Sequence, residues 1–262
     1  MSAILLDAQI VHYEVLGRGR PLIFLHGWVG SWRYWIPVMQ AASVSFRTYA
    51  LDLWGFGDTA KVPLRYTLDG QVSLVERFLE QMGIGRVALV GHGLGAVVAV
   101  LLALRHPEVV DRVMAIAYPL DESRIHARLR AGNPLDLADW LLEKSPLTEP
   151  VRVEAPKTDP QAILTSLAGL SSPEVRMAGQ NMNRACLLVH GVNDPAVAAP
   201  ELDILARLPE LIHGIHFEAS GHFPMLDESS KFNRLLIDFL ALGPGESPRQ
   251  LQLKEEWKRR VR

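Results

Sequence analysis

The stretch LVGHGLGAV, Leu89–Val97, decides the fold. The apolar run VALV at Val87–Val90 meets glycines at alternate positions, Gly91, Gly93 and Gly95, and passes directly into the apolar helix pattern Leu94–Arg105. A strand that turns this sharply into a helix forces its central residue into unfavourable φ and ψ, and small neighbours let strand and helix approach closely. Such turns usually carry a nucleophile at their centre. Here the centre is Gly93.

Outward from this turn, strand and helix patterns alternate. Upstream, Ile4–Leu16 is rich in β-branched and aliphatic residues and ends at the turn GRGRP, so a hairpin is expected to feed the short apolar strand LIFLHG. A helix over Ser31–Ala42, a strand over Arg47–Leu51 and a helix over Leu68–Met82 follow. Beyond the turn a strand is expected at Val113–Ala117, then strands at ACLLVHG and LIHGIHF, and a closing helix from Glu228 to about Leu240. This alternation predicts an α/β fold, a mostly parallel central sheet covered by helices on both faces.

From Pro119 to Arg184 the strand signal stops and prolines accumulate at 134, 146, 150, 156, 160 and 173. An inserted helical lid after the sixth strand is expected there. Asp121, Asn133 and Asp159 are the predicted N-caps, the last two each followed by proline at the first helical position. Leu137, Trp140 and Leu141, like Ile163, Leu164, Leu167 and Leu170, recur at helical spacing and are expected to pack onto the core. The resulting division is 1–118 and 185–242 for the core, 119–184 for the lid, and 243–262 for a basic C-terminal tail. The tail sets Arg249, Lys254, Lys258, Arg259, Arg260 and Arg262 against Glu246, Glu255 and Glu256, and reads as a solvated or loosely docked helix.

With 262 residues, 48% hydrophobic and 21% charged, the chain suits one large domain with an insertion. A formal net charge of −2 makes no case for nucleic acid and leaves a small-molecule partner as the expectation. The single cysteine, Cys186, lies in an apolar run and reads as an inert buried thiol. The longest apolar run, Ala96–Leu104, is too short to span a bilayer, and the N-terminal residues lack a signal-peptide pattern, so a cytoplasmic location without a membrane span is expected. No metal-ligand cluster, phosphate-binding lysine or dinucleotide spacing is present, and no cofactor or metal is expected.

Five landmarks, in order, resemble the α/β-hydrolase fold: LIFLHGW with His26, Gly27 and Trp28; LDLWGFGDT at Leu51–Thr59; GHGLG; LLVHGVNDPAV with Asp194; and ASGHFPMLDE with His222. The resemblance covers the chain to about Leu242. It implies that His222 is the general base and Asp194 the acid that orients it, with Asp121 as the fallback acid. It further implies that the backbone N–H groups of Trp28 and Leu94 form an oxyanion hole, reinforced by the dipole of the helix that Leu94 begins. His92 reads as a packing residue. His26, Trp32, Trp54 and Trp140 are candidate pocket residues, although core packing explains the tryptophans equally well.

The Leu-Gly continuation after Gly93 resembles serine esterases, lactonases and carbon–carbon-bond hydrolases. Haloalkane dehalogenases and epoxide hydrolases do not fit, since Leu94 follows the turn, Val29 stands where the latter carry proline, and no tyrosine follows Tyr118. Ser220 and Cys186 lie in the wrong places to replace the missing nucleophile. Three readings stay open. His222 and Asp194 act as a non-covalent general base on a small acyl or carbonyl substrate, with the reacting atom in the vacated hydroxymethyl space; the protein is a catalytically inactive ligand-binding module or sensor; or Gly93 is an engineered replacement of serine.

Overall fold

The computed structural model describes residues 2–243 and 245–253. Eight strands form one sheet: β1 (Ser2–Leu6), β2 (Gln9–Leu16), β3 (Arg20–Leu25), β4 (Phe46–Leu51), β5 (Val87–His92), β6 (Val110–Ile116), β7 (Ala185–Gly191) and β8 (Ile212–Phe217), in the order β1-β2-β4-β3-β5-β6-β7-β8. β1 and β2 form the expected hairpin across a two-residue turn, Asp7 and Ala8, both at positive φ (50° and 61°), which matches the strand twist. β2 also pairs antiparallel with β4, and every other neighbouring pair is parallel.

The helices are α1 (Ile36–Ala42), α2 (Leu68–Gln81), α3 (Leu94–Arg105), α4 (Arg128–Ala131), α5 (Pro134–Leu141), α6 (Glu149–Glu154), α7 (Pro160–Ala168), α8 (Pro173–Asn181), α9 (Leu202–Ala206), α10 (Pro224–Asp227) and α11 (Ser229–Ala241). α3 is apolar on nearly every face because it is buried on nearly every face: Leu94 through Ala103 are all inaccessible, packed between β5, β6 and α2. α2 and α11 are amphipathic and bury one stripe each, Val72, Val75, Phe78 and Leu79 in the first and Phe232, Leu235, Leu236 and Phe239 in the second.

Four expectations need adjusting. The strand expected at Val113–Ala117 is β6, Val110–Ile116, which starts earlier because Val110 already pairs with Val87 and stops before Ala117, whose φ is +48°. The helix expected over Ser31–Ala42 is a 3-10 turn, Trp32–Trp35, followed by α1, because Pro37 has no N–H to donate and serves only in a first helical turn. β5 runs two residues past Val90, since Gly91 and His92 still pair with Ala115 and Ile116 of β6. Ladder pairing, not side-chain pattern, sets that end. In α7, Ile163 and Leu167 are buried as expected, but Leu164 is 41% exposed on the outer face.

The segment between β6 and β7 carries α4 to α8. Asn133 caps α5 through the N–H groups of Leu135 and Asp136, Asp159 caps α7 through Gln161, and Asp121 caps a short 3-10 turn at Glu122–Arg124. The segment is tied to the core by Glu154, 1% exposed, which pairs with Arg33 at 2.8 Å and accepts from Ser31 Oγ at 3.2 Å. Tyr66 adds a second tie by donating to Asp159 at 2.8 Å. Residues up to Leu253 of the tail lie against β8, with Leu251 buried and its carbonyl 3.2 Å from His213 Nε2. The cationic run from Lys254 to Arg262 lies outside the described residues.

Candidate functional site

The loops at the C-terminal ends of β3, β5, β7 and β8 meet around Gly93. The glycine has φ +50° and ψ −111°, a conformation that side chains with a Cβ rarely adopt. Its N–H donates to Ile116 O at 2.8 Å, which ties the turn to β6. The flanking glycines answer to close approach: a Cβ on Gly91 would lie 2.2 Å from Gly95 O, and one on Gly95 would lie 2.3 Å from Leu25 O. Strand β5 and helix α3 therefore touch backbone to backbone, as the sequence predicted, and the end of β3 joins the same contact.

The Trp28 ring crowds the space over Gly93. A Cβ built on Gly93 would meet Trp28 Cε3 at 3.1 Å and Cζ3 at 3.2 Å, tighter than ordinary van der Waals contact. Trp28 is wholly buried, and its indole N–H donates at 3.1 Å to Ser166 Oγ on α7. Ser166 Oγ in turn donates to Ala162 O at 2.7 Å, so the hydroxyl that receives the indole is itself fixed by its own helix. The segment between β6 and β7 thus holds the Trp28 ring against the turn.

His222, after β8, places Nδ1 2.7 Å from Asp194 Oδ2, and both side chains are 1% exposed. The other carboxylate oxygen of Asp194 accepts from Ala196 N at 2.7 Å and Val197 N at 3.1 Å. Asp194 is at once the turn-former that Asn-Asp-Pro suggests and the partner of His222. The hydrogen bond at Nδ1 leaves Nε2 as the ring atom available for proton transfer. Asp121 instead binds Ser123 and pairs with Arg124. Ser220 donates to Glu228 at 2.7 Å.

His92 and Tyr34 connect the parts. Gly27 N donates to the Tyr34 hydroxyl, Oη, at 2.8 Å, the same Oη lies 3.0 Å from His92 Nδ1, and His92 Nε2 lies 2.9 Å from His222 O. Burial pushes the His92 pKa well below the usual histidine range and the Tyr34 pKa well above the usual phenol range, so both stay neutral. The network then assigns one set of protons: Tyr34 donates to Nδ1 and Nε2–H donates to the His222 carbonyl. His92 packs its ring 4.5 Å from that of His222 and fixes the backbone of the histidine loop.

The remaining sequence candidates divide. The N–H groups of Trp28 and Leu94 make no hydrogen bond among the described residues, which leaves both available as donors. His26 is a clip: Leu53 N donates to its Nε2 at 3.0 Å and its Nδ1 lies 2.8 Å from Gly27 O, joining the loops after β3 and β4. Trp32 lies 5.5 Å from the His12 ring, and Arg65 stacks 4.9 Å over Trp54. Neither tryptophan makes a ring contact with His222 among the described residues, where His92 and Phe223 pack against it. Trp140 lines a cavity of about 860 Å³ together with Asp139, Arg152, Asn193, Gly221 and Asp227. That cavity touches the neighbours of Asp194 and His222 in sequence but neither residue itself.

His12, Asp52 and Asp58 bring possible metal-ligating atoms within 4.8 Å of one another. Asp52 already accepts three hydrogen bonds there, from Trp32 N, Asp58 N and His12 Nδ1 at 2.9, 2.9 and 3.0 Å, while Asp58 pairs with Lys157 at 3.0 Å. This set reads as a brace for the Asp52–Thr59 turn. Sequence reasoning missed Tyr34 and Ser166. Tyr34 carried a weak signal in the aromatic run SWRYW, whereas Ser166, 138 residues from Trp28, carried none.

A family model described as alpha/beta hydrolase fold matches residues 20–145. The chain is an α/β-hydrolase-fold protein. Over the whole α/β-hydrolase fold, the enol-lactonase from Burkholderia xenovorans LB400 superposes with a TM-score of 0.80 at 19% identity, covering 92% of this chain and 100% of that one. Among similar sequences, a putative carbamate hydrolase RutD from Yersinia enterocolitica is 28% identical over 94% of this chain and 97% of its own. A pimeloyl-[acyl-carrier protein] methyl ester esterase from Vibrio cholerae is 25% identical over 87% and 97%. These relatives are named as hydrolases of carbamate and ester bonds. No helix among the described residues is long and apolar enough to cross a membrane.

Proposed function

We propose that this α/β-hydrolase-fold protein works on a small acyl or carbonyl compound without forming a covalent acyl-enzyme. His222, oriented by Asp194, is the general base, and the N–H groups of Trp28 and Leu94 hold developing negative charge. The observation that carries this reading is the His222–Asp194 contact of 2.7 Å between side chains each 1% exposed. Burying such a pair is costly unless it is well bonded, and here Asp194 spends its second oxygen on two backbone N–H groups. The names of the full-length relatives put esters and carbamates first among substrates to test.

The position of Trp28 revises how such chemistry proceeds. Its ring stands against Gly93, so the hydroxymethyl space is not an open hollow for a reacting atom. Access requires Trp28 to yield, and residues 119–184 serve as a lid that governs this through Ser166. The same contact favours a second reading, a ligand-binding protein in which His222 is only a polar contact.

Hydrolysis of short-chain activated esters and carbamates by the wild type, His222→Ala and Gly93→Ser separates these readings. General-base catalysis predicts wild-type turnover that falls by about 10²–10⁴-fold in His222→Ala. Wild-type turnover unchanged in His222→Ala removes the reading. Activity confined to Gly93→Ser identifies a serine hydrolase that has lost its nucleophile, naturally or by design, and no turnover by either supports the binding protein.

A further inference from the structure

The parallel strands β3 to β6 carry the candidate site at their C-terminal ends, and their N-terminal ends carry a different feature. A cavity of about 330 Å³ opens there, lined by Arg20, Arg86 and Arg112 around Pro21, Phe46, Val87, Ala88, Leu240 and Leu242, with Asp111 the sole acid in its wall. The arginines are unequal. Asp111 is shared by Arg86 at 2.7 Å and Arg112 at 2.7 Å, so one carboxylate serves two guanidinium groups.

Arg112 is 7% exposed and spends Nε on Asp111 and Nη1 on Phe239 O, while Nη2 has no protein acceptor among the described residues. Arg20 stacks 5.2 Å over Phe46 and has no carboxylate partner among the described residues. Next to this cavity, Arg18 and Arg47 line a second hollow at the β2–β3 turn, also without a carboxylate partner among the described residues. In a chain of formal net charge −2, this end of the sheet is locally cationic.

A guanidinium that keeps unused donors beside an apolar floor matches one kind of ligand. We propose that this cavity binds a small amphipathic carboxylate, a short fatty or aryl acid, at a site separate from the His222–Asp194 pair. Its carboxylate sits between Arg112 and Arg20, where planar N–H forks match two oxygens, and its apolar body covers Phe46, Leu240 and Leu242. Arg18, Arg47 and Arg86 supply the field that draws an anion to the mouth. The apolar floor selects an acid with a hydrocarbon body over inorganic phosphate.

Titration of the full chain with hexanoate, benzoate, hexanol and inorganic phosphate tests this, with calorimetry for affinity and methyl NMR of Val87, Leu240 and Leu242 for location. Saturable binding of the two acids with Kd of about 1 mM or tighter is expected, with shifts in those three methyl groups. Hexanol and phosphate bind at least about tenfold more weakly, and Arg20→Glu, a change at an exposed side chain, weakens hexanoate by about tenfold or more. His222→Ala leaves hexanoate affinity at this site unchanged. The proposal is overturned if neither acid saturates, if hexanol matches hexanoate, if Arg20→Glu has no effect, or if the shifts fall on Leu94 instead.

Discussion

Gly93→Ser measures how completely the turn has closed over its missing side chain. Serine at φ +50° and ψ −111° carries about 1–3 kcal/mol of backbone strain. Its Cβ would also crowd Trp28 Cε3 and Cζ3 at 3.1 and 3.2 Å, a few tenths of an ångström inside ordinary contact. The ring cannot back away freely, because Ser166 holds its indole N–H. Overpacking of this kind costs about 1–3 kcal/mol, while the loss of glycine's freedom in the unfolded chain returns about 0.4–1 kcal/mol. The net expectation is a loss of about 1–5 kcal/mol, or a fall in Tm of roughly 2–20 °C for a chain of this size.

Urea denaturation of the wild type, Gly93→Ser, Trp28→Leu and the double variant separates the two terms. Trp28→Leu removes the crowding atoms but leaves the backbone strain, so the serine penalty in that background falls to the strain alone. A coupling energy of about 1–3 kcal/mol is expected. A Gly93→Ser protein as stable as the wild type, or a penalty unchanged by Trp28→Leu, refutes the closed-turn account.

Further predictions follow from the same geometry. Ser166→Ala strands the buried Trp28 N–H and is expected to cost about 1–3 kcal/mol in urea, whereas Ser166→Thr keeps the acceptor; equal losses in the two variants contradict the assigned bond. Burial holds the His190 pKa down to about 4, against 6.5 for an ordinary histidine, so the unfolded chain takes up a proton first as the pH falls. His190 therefore contributes its full stability above pH 6.5 and loses about 3 kcal/mol of it between pH 6.5 and about 4; His26 and His92, also depressed, act in the same direction. A His190→Gln protein with the same pH slope of stability over that window overturns this. Burial raises the Cys186 thiol to about 12, so a thiol reagent at pH 8 is expected to label it only in the unfolded protein, and native-state labelling at the unfolded rate contradicts its burial.

Much of this was legible in the residues. The alternation of strands and helices, the glycines at 91, 93 and 95, and the caps at Asn133 and Asp159 are local features whose physics does not depend on distant contacts. Asp194 and His222 were legible through motif position, although 28 residues separate them. What escaped depends on three dimensions. Trp28 was assigned a role only for its backbone, because nothing local says that its ring turns over Gly93. Ser166 is one of many serines until α7 lies across the turn. The role of His26 escaped because ring types that line pockets also fill cores, and only its ring hydrogen bonds with Leu53 N and Gly27 O make it a clip between loops.

The central claim is that His222 acts without a covalent intermediate. Intact-mass spectrometry of the protein quenched during turnover of an activated ester or carbamate tests it most directly, with product measured in the same samples. The account predicts accumulating product, an unmodified protein mass throughout, and loss of product formation in His222→Ala. An acyl adduct on the wild-type chain during turnover would contradict it.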